Sequence, residues 1–197
     1  SQCEFFTFYF AKRISKKLNI PIVHTYHTLY EHYTEYVLKN KTVGKKLVSA
    51  FTKGFAKKVD IMIAPTEKVR ESLKNYGIEK EIEVIPTGIN LDKFKNKITE
   101  AEKSGLKKSL GIGEGNKIIL SVGRLGVEKN IDEILRNLPM LIEKHKDLTL
   151  LVVGDGPHRG NLENMSRELH INDHVIFTGM ISPDLVTKYY QIADIFV

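Results

Sequence analysis

Two Rossmann-like α/β pieces, each with a parallel sheet, are predicted by three features of this 197-residue chain. Helix-period and strand-length apolar runs alternate from end to end; parallel neighbours need long return connections of this kind. The strand-length runs are short and β-branched, as buried strands tend to be. A punctuated stretch, Pro86-Thr87-Gly88-Ile89-Asn90, interrupts the alternation and leads into the Lys-rich segment 91–100, so a boundary is expected near residue 88.

The elements follow in order. Helical periodicity covers 4–18, a strand is expected over 20–25 (Ile20-Pro21-Ile22-Val23-His24-Thr25), and helical patterns return at 28–38 and 44–58. Strand 60–64, helix 66–76 and strand 82–85 complete the first piece, residues 1–88. The second piece, 89–197, reads as helix 99–110, strand 117–122, helix 130–145, strand 148–153, helix 158–169, strand 174–178, helix 183–191 and strand 194–197. Because the last run stops within an apolar element, the sequence is expected to be part of a longer chain, with each piece incomplete.

Composition narrows the class. Hydrophobic residues at 42% and charged residues at 27% are globular values, which excludes a disordered or collagen-like chain. No apolar run reaches the ~18 residues of a membrane span. Cys3 is the single cysteine, so an intrachain disulfide and a Cys-based zinc cluster are excluded, and a reducing compartment fits.

The formal charge of +6 sits in one half. Residues 1–90 hold 15 Lys and Arg against 9 Asp and Glu, while 91–197 hold 15 of each. Between Lys12 and Lys58, 11 basic residues face only Glu31 and Glu35. Such a stripe either meets an anionic surface or is simply solvated.

Four segments could carry chemistry. Strand 117–122 runs into Gly123-Arg124-Leu125-Gly126-Val127-Glu128-Lys129-Asn130 ahead of an amphipathic helix. Ligands of open α/β sheets collect at such carboxyl ends, where helix N-termini and cations favour phosphate. Arg124 and Lys129 thus suit a diphosphate, although neither a Walker loop nor GxGxxG can be written here, and a plain glycine turn with two surface cations is the alternative. Strand 148–153 leads likewise into Gly154-Asp155-Gly156-Pro157, where glycines would admit a ligand and Asp155 would accept from a hydroxyl, or a tight turn would cap the next helix.

His24 within the first strand, and His27 and His32 beyond it, suit contact with a sugar or phosphate, or an ordinary structural role. Their spacing offers little to a metal. In the helix 44–58, Leu47, Val48, Phe51 and Phe55 fall on one side and Lys45, Lys46, Lys53 and Lys57 on the other. This pattern suits an anionic bilayer surface or a helix packed on a core with lysines in water.

Taken together, these residues resemble the retaining GT-B fold glycosyltransferases of family 4, the group 1 class. The segments VIPTGINLDKF (84–94), SVGRLGVEKNIDEIL (121–135), VVGDGP (152–157), VIFTGMIS (175–182) and YYQIADIFV (189–197) match in order and spacing, and HTYHTLYEHYTEYV (24–37) resembles the diacylglycerol glucosyltransferase branch. The resemblance implies a nucleotide sugar held in the cleft between two Rossmann-like domains, an acceptor-side one and a donor-binding one. Arg124 and Lys129 would neutralise the departing nucleoside diphosphate, and His27 would hydrogen-bond near the donor sugar. Gly123, Gly154, Asp155, Gly156, Met180 and Ile181 would line the donor site.

Two features of the family are missing from the sequence: the pair of glutamates spaced seven apart, due beyond Val197, and the glycine-rich N-terminal loop. The isolated 197-residue chain is therefore expected to be inactive.

The resemblance implies transfer of a hexose, with glucose expected, from a UDP-sugar to a lipid such as diacylglycerol, with retention. UDP-sugar is then a substrate, with no permanently bound cofactor and no metal. The protein would lie in the cytoplasm, peripheral at the inner face of the membrane through Lys45, Lys46, Lys53 and Lys57. A soluble acceptor is the alternative within the family. Other classes are a nucleotide-sugar epimerase and a non-catalytic module binding an anionic surface or nucleic acid, although no nucleic-acid motif is present.

Overall fold

The computed structural model describes residues 6–27 and 41–197. The helix expected over 28–38, and with it His32, lies outside them. The chain divides into two compact units, Ser1–Ile89 and Asn90–Val197.

In the first unit, α1 (Phe6–Leu18), β1 (Val23–Thr25), α2 (Lys41–Ala56), β2 (Ile61–Ala64), α3 (Glu67–Asn75) and β3 (Ile82–Val84) alternate. The sheet order is β1-β2-β3 and both pairings are parallel, with Val23 opposite Ile61 and Met62 opposite Ile82. Strand β1 starts later than expected because Pro21 has no N–H to give a ladder, and the Ile22 N–H is taken by the Asp60 carboxylate at 2.7 Å. Phe8, Val48, Phe55, Met62, Leu73 and Ile82 share one core. Each such side chain contributes about 1.5–3 kcal/mol by leaving water. The rings of Phe8 and Phe55 lie 4.1 Å apart and join α1 to α2.

Helix α2 departs from the expected pattern in two ways. It ends at Ala56, so Lys57 and Lys58 belong to the following turn. Its buried face is Val48, Thr52, Phe55 and Ala56, whereas Leu47 and Phe51 are exposed at 56% and 44%. The buried Thr52 hydroxyl donates to the Val48 carbonyl at 2.8 Å, which explains how a polar group sits on the core face.

The second unit comprises α4 (Asp92–Lys95), α5 (Glu100–Ser109), β4 (Lys117–Val122), a 3-10 turn (Val127–Lys129), α6 (Ile131–Lys144), β5 (Leu148–Val153) and α7 (Arg159–Glu168). A second 3-10 turn (Asn172–His174), β6 (Val175–Gly179), α8 (Val186–Ile192) and β7 (Ile195–Phe196) follow. All pairings are parallel and the order is β6-β5-β4-β7.

Residues of β4 and β5 alternate between two apolar layers: Ile119, Leu150 and Val152 on one side, Ile118, Leu120, Leu151 and Val153 on the other. Helices therefore cover both faces, and every residue of β5 is buried.

Residues 91–100, which read as a polar linker, are fastened along α8. Lys93 pairs with Asp184 at 3.0 Å, and Phe94 stacks edge-on against Tyr190. The Gln191 amide oxygen accepts from Ile98 N–H at 2.9 Å and its NH2 donates to the Asn96 carbonyl at 3.0 Å. Thr99 and Glu102 form a reciprocal cap at the start of α5. The Glu102 carboxyl lies below the usual carboxylate range, chiefly through the Thr99 N–H and then Lys188.

Candidate functional site

The strand order places the site in the second unit. From β4 the chain steps outward through β5 and β6, then returns to the opposite side of β4 as β7. The order reverses at β4, and in open parallel sheets ligands sit beyond the carboxyl ends of strands at such a reversal.

Three loops leave that edge and are joined backbone to backbone. Gly123 N–H donates to Val153 at 2.9 Å, Leu125 N–H to Asp155 at 2.9 Å, His158 N–H to Leu125 at 3.0 Å and Gly154 N–H to Gly179 at 3.0 Å. Gly154 has φ +133, and a Cβ there would overlap the Gly123 carbonyl, 2.9 Å from its carbon; a Cβ on Gly156 would lie 2.7 Å from the Leu125 carbonyl carbon. These two glycines therefore admit the neighbouring loop, where ligand approach was expected. Their placement fixes the Gly123–Gly126 turn as a rigid edge.

Arg124 and Lys129 both stand exposed on that edge, and neither makes an ion pair among the described residues. Arg124 follows β4 directly, and Lys129 closes the 3-10 turn that leads into α6, its N–H donating to Gly126 at 3.0 Å. Two cations without carboxylate partners among the described residues, next to the start of a 14-residue helix, form a surface that favours an anion.

Asp155 is already engaged. One oxygen accepts from Gly156 N–H at 2.7 Å and the other from Arg159 at 3.2 Å, while Arg159 Nε also binds Glu163 at 2.7 Å. Arg159 thus belongs to the site's frame, although it was absent from the sequence reading; the available signal was the i, i+4 spacing of Asp155, Arg159 and Glu163. At the third loop Met180 is 85% exposed, and Ile181 packs partly into the apolar layer under β4 and β5.

The first unit carries the remaining candidates. His24 is fully buried, its ring 4.3 Å from Phe55 in an edge arrangement, so it has the structural role. His27 is exposed just beyond β1.

Lys45, Lys46 and Lys53 line a cavity of about 450 Å³ between α2 and the end of α3. Lys53 and Lys57 line an adjoining one of about 540 Å³, together with Lys80. Lys53 lies over Gly77 just past the end of α3, whose carbonyls favour a cation. Lys80 was not singled out from the sequence; its ammonium donates to the Val59 carbonyl. Among the described residues no group of three or more His, Cys, Asp and Glu is gathered as a metal site, and no helix is long and apolar enough to cross a membrane.

Two successive parallel-sheet α/β units, the second with unpaired cations at its strand-order reversal, have the architecture of GT-B proteins. The chain belongs to the group 1, family 4 glycosyltransferases. Residues 1–93 match the family described as Glycosyltransferase Family 4 and residues 102–197 the one described as Glycosyl transferases group 1.

Among curated relatives, the alpha-monoglucosyldiacylglycerol synthase of Streptococcus pneumoniae is 40% identical over 93% of this chain and 42% of its own length. The enzyme of the same name from Acholeplasma laidlawii is 30% identical over 93% of this chain and 48% of its own. The chain thus spans less than half of these relatives.

Among solved structures, Anabaena Alr3699/HepE in complex with UDP-glucose superposes with a TM-score of 0.72 at 18% identity, covering 94% of this chain and 48% of that one. WaaG, a glycosyltransferase involved in lipopolysaccharide biosynthesis, gives 0.66 at 20% identity, covering 96% and 56%. At these identities the likeness concerns the fold.

Proposed function

We propose that the whole protein transfers a hexose, glucose in the first instance, from a UDP-sugar to a lipid acceptor such as diacylglycerol, with retention. The observation that carries the donor half is the pair of exposed, unpartnered cations Arg124 and Lys129 on a loop edge held by backbone bonds. As the glycosidic bond to the diphosphate breaks, negative charge grows on the leaving oxygen, and fixed cations stabilise that change more than they stabilise the ground state. In this reading residues 89–197 hold the donor, with Gly123, Gly154, Asp155, Gly156, Met180 and Ile181 around it. Residues 1–88 face the acceptor, with His27 hydrogen-bonding to the donor sugar.

The lipid acceptor is supported by the names of the relatives and by α2. Val43, Leu47 and Phe51 form an exposed apolar row on that helix, and Lys46 and Lys53 flank the row at about 100° per residue, with Lys57 in the turn that follows. Apolar side chains beside lysines suit the interface of an anionic bilayer, where each lysine contributes about 1 kcal/mol.

The test is glucose transfer by the full-length protein from UDP-glucose to diacylglycerol in vesicles with and without anionic lipid. Transfer should rise with anionic lipid, fall with salt, and drop when Lys45, Lys46, Lys53 and Lys57 are all changed to Gln. Equal rates on neutral vesicles, or in the quadruple variant, would favour a soluble acceptor.

A further inference from the structure

The loop after β6 is held in an unusual way. Pairing of β5 with β6 runs in register from Leu150 to Val152, then slips, so that Val153 faces Gly179 rather than Thr178. An isolated antiparallel bridge between Gly154 and Gly179 follows. A bulge of this kind re-aims the residues after it.

Gly179 itself has φ +73, and the space where a Cβ would project is filled by the Arg159 guanidinium, 3.1 Å away, with the Asp155 carboxylate at 4.0 Å. Arg159 Nε is held in turn by Glu163 at 2.7 Å. A chain of Glu163 and Arg159 on the first turns of α7 and Asp155 in the loop before it thus braces Gly179 from one side, while Gly154 N–H holds its carbonyl from the other. Arg159 is far better matched to this duty than Lys, because its planar fork reaches two carboxylates from a fixed geometry.

Resting on the nucleotide-sugar reading above, we propose that Arg159 is a positioning residue for the nucleobase end of the donor. It touches no reacting atom. It fixes where the backbone of residues 179–181 stands, in the loop after β6, two strands or roughly 10 Å from the diphosphate loop after β4, a span that fits the reach of a nucleoside from its diphosphate. Arg124 and Lys129, by contrast, act on the diphosphate. The two ends of the nucleotide are therefore set by different loops, and a substitution can disturb one without the other.

The experiment is a calorimetric titration of the full-length protein with UDP and, separately, with inorganic pyrophosphate, which has no base. Arg159→Ala should weaken UDP binding on the order of 10-fold and leave pyrophosphate binding unchanged, with Arg159→Lys recovering only part of the loss. Arg124→Ala should weaken both ligands.

Unchanged UDP affinity in Arg159→Ala would overturn the inference. So would an equal loss of both ligands together with a lowered melting temperature, since that would mark a merely structural role. If wild type binds UDP but Arg124→Ala and Lys129→Ala bind it equally well, the donor reading fails instead, and that result is distinct from any outcome at Arg159.

Discussion

Arg124 and Lys129 on the β4 loop and the lysines of α2 carry the same charge but sit on opposite kinds of surface. The β4 loop is joined by backbone hydrogen bonds to the loop after β5, which is bonded in turn to Gly179 at the end of β6, and Gly154 and Gly156 let the first two loops pack closely. The α2 lysines stand on one flank of a helix whose outward row is apolar, beside open cavities of about 450 and 540 Å³. A rigid edge with two cations selects the shape of its anion. A row of lysines beside apolar side chains selects only charge density, which suits a fluid surface.

The largest effect should come from breaking the rigid edge. Gly154→Ala places a methyl group against the Gly123 carbonyl at φ +133, so a loss of about 3 kcal/mol in stability is expected. Thermal melting checks this, and a wild-type melting temperature would show that the loops are free to separate.

A smaller and different effect is expected on α2. Changing exposed Leu47 to Ser removes apolar surface that faces water, so folding stability should stay within about 1 kcal/mol of wild type. Vesicle binding should fall roughly 10-fold, since about 1.5–3 kcal/mol per side chain is available on full burial. Co-sedimentation of the full-length protein with anionic vesicles measures it.

The smallest effect lies at the opposite end of the second sheet, where Asp194 accepts from Ile118 N–H at 2.8 Å and pairs with Lys117 at 3.2 Å. The backbone N–H of Ile118 first, then Lys117, hold its carboxyl below the ordinary range against a partial burial cost. A depressed folded-state pKa stabilises the fold above the unfolded value, and that stability is lost as pH falls through the folded one. Asp194→Asn should therefore lower the melting temperature by about 1–2 °C at pH 7. The difference should begin to shrink as pH falls below about 4, the unfolded value, and be gone only below the lower folded-state one.

How much was legible in the sequence varied with how local the cause was. Strands β4 and β5 have the expected limits because their β-branched runs are bounded by turn residues on both sides. The outward turn of Leu47 and Phe51 could not be read, since helical periodicity sorts side chains around an axis without saying where the sheet lies. Residues 91–100 look like linker in composition, yet Gln191 and Asp184 hold them from more than 90 residues away. Arg159 escaped notice because its role depends on the bulge at Thr178 and on the φ of Gly179, neither of which is written in its own neighbourhood.

The central claim is that Arg124 and Lys129 form the diphosphate site. Its most direct test is calorimetric UDP binding to the full-length protein and to the Arg124→Ala, Lys129→Ala double variant. Each charged hydrogen bond is worth about 1.5–3 kcal/mol, so binding should weaken by at least about 100-fold in the double variant with no change in melting temperature. UDP affinity equal to wild type in a folded double variant would contradict the account.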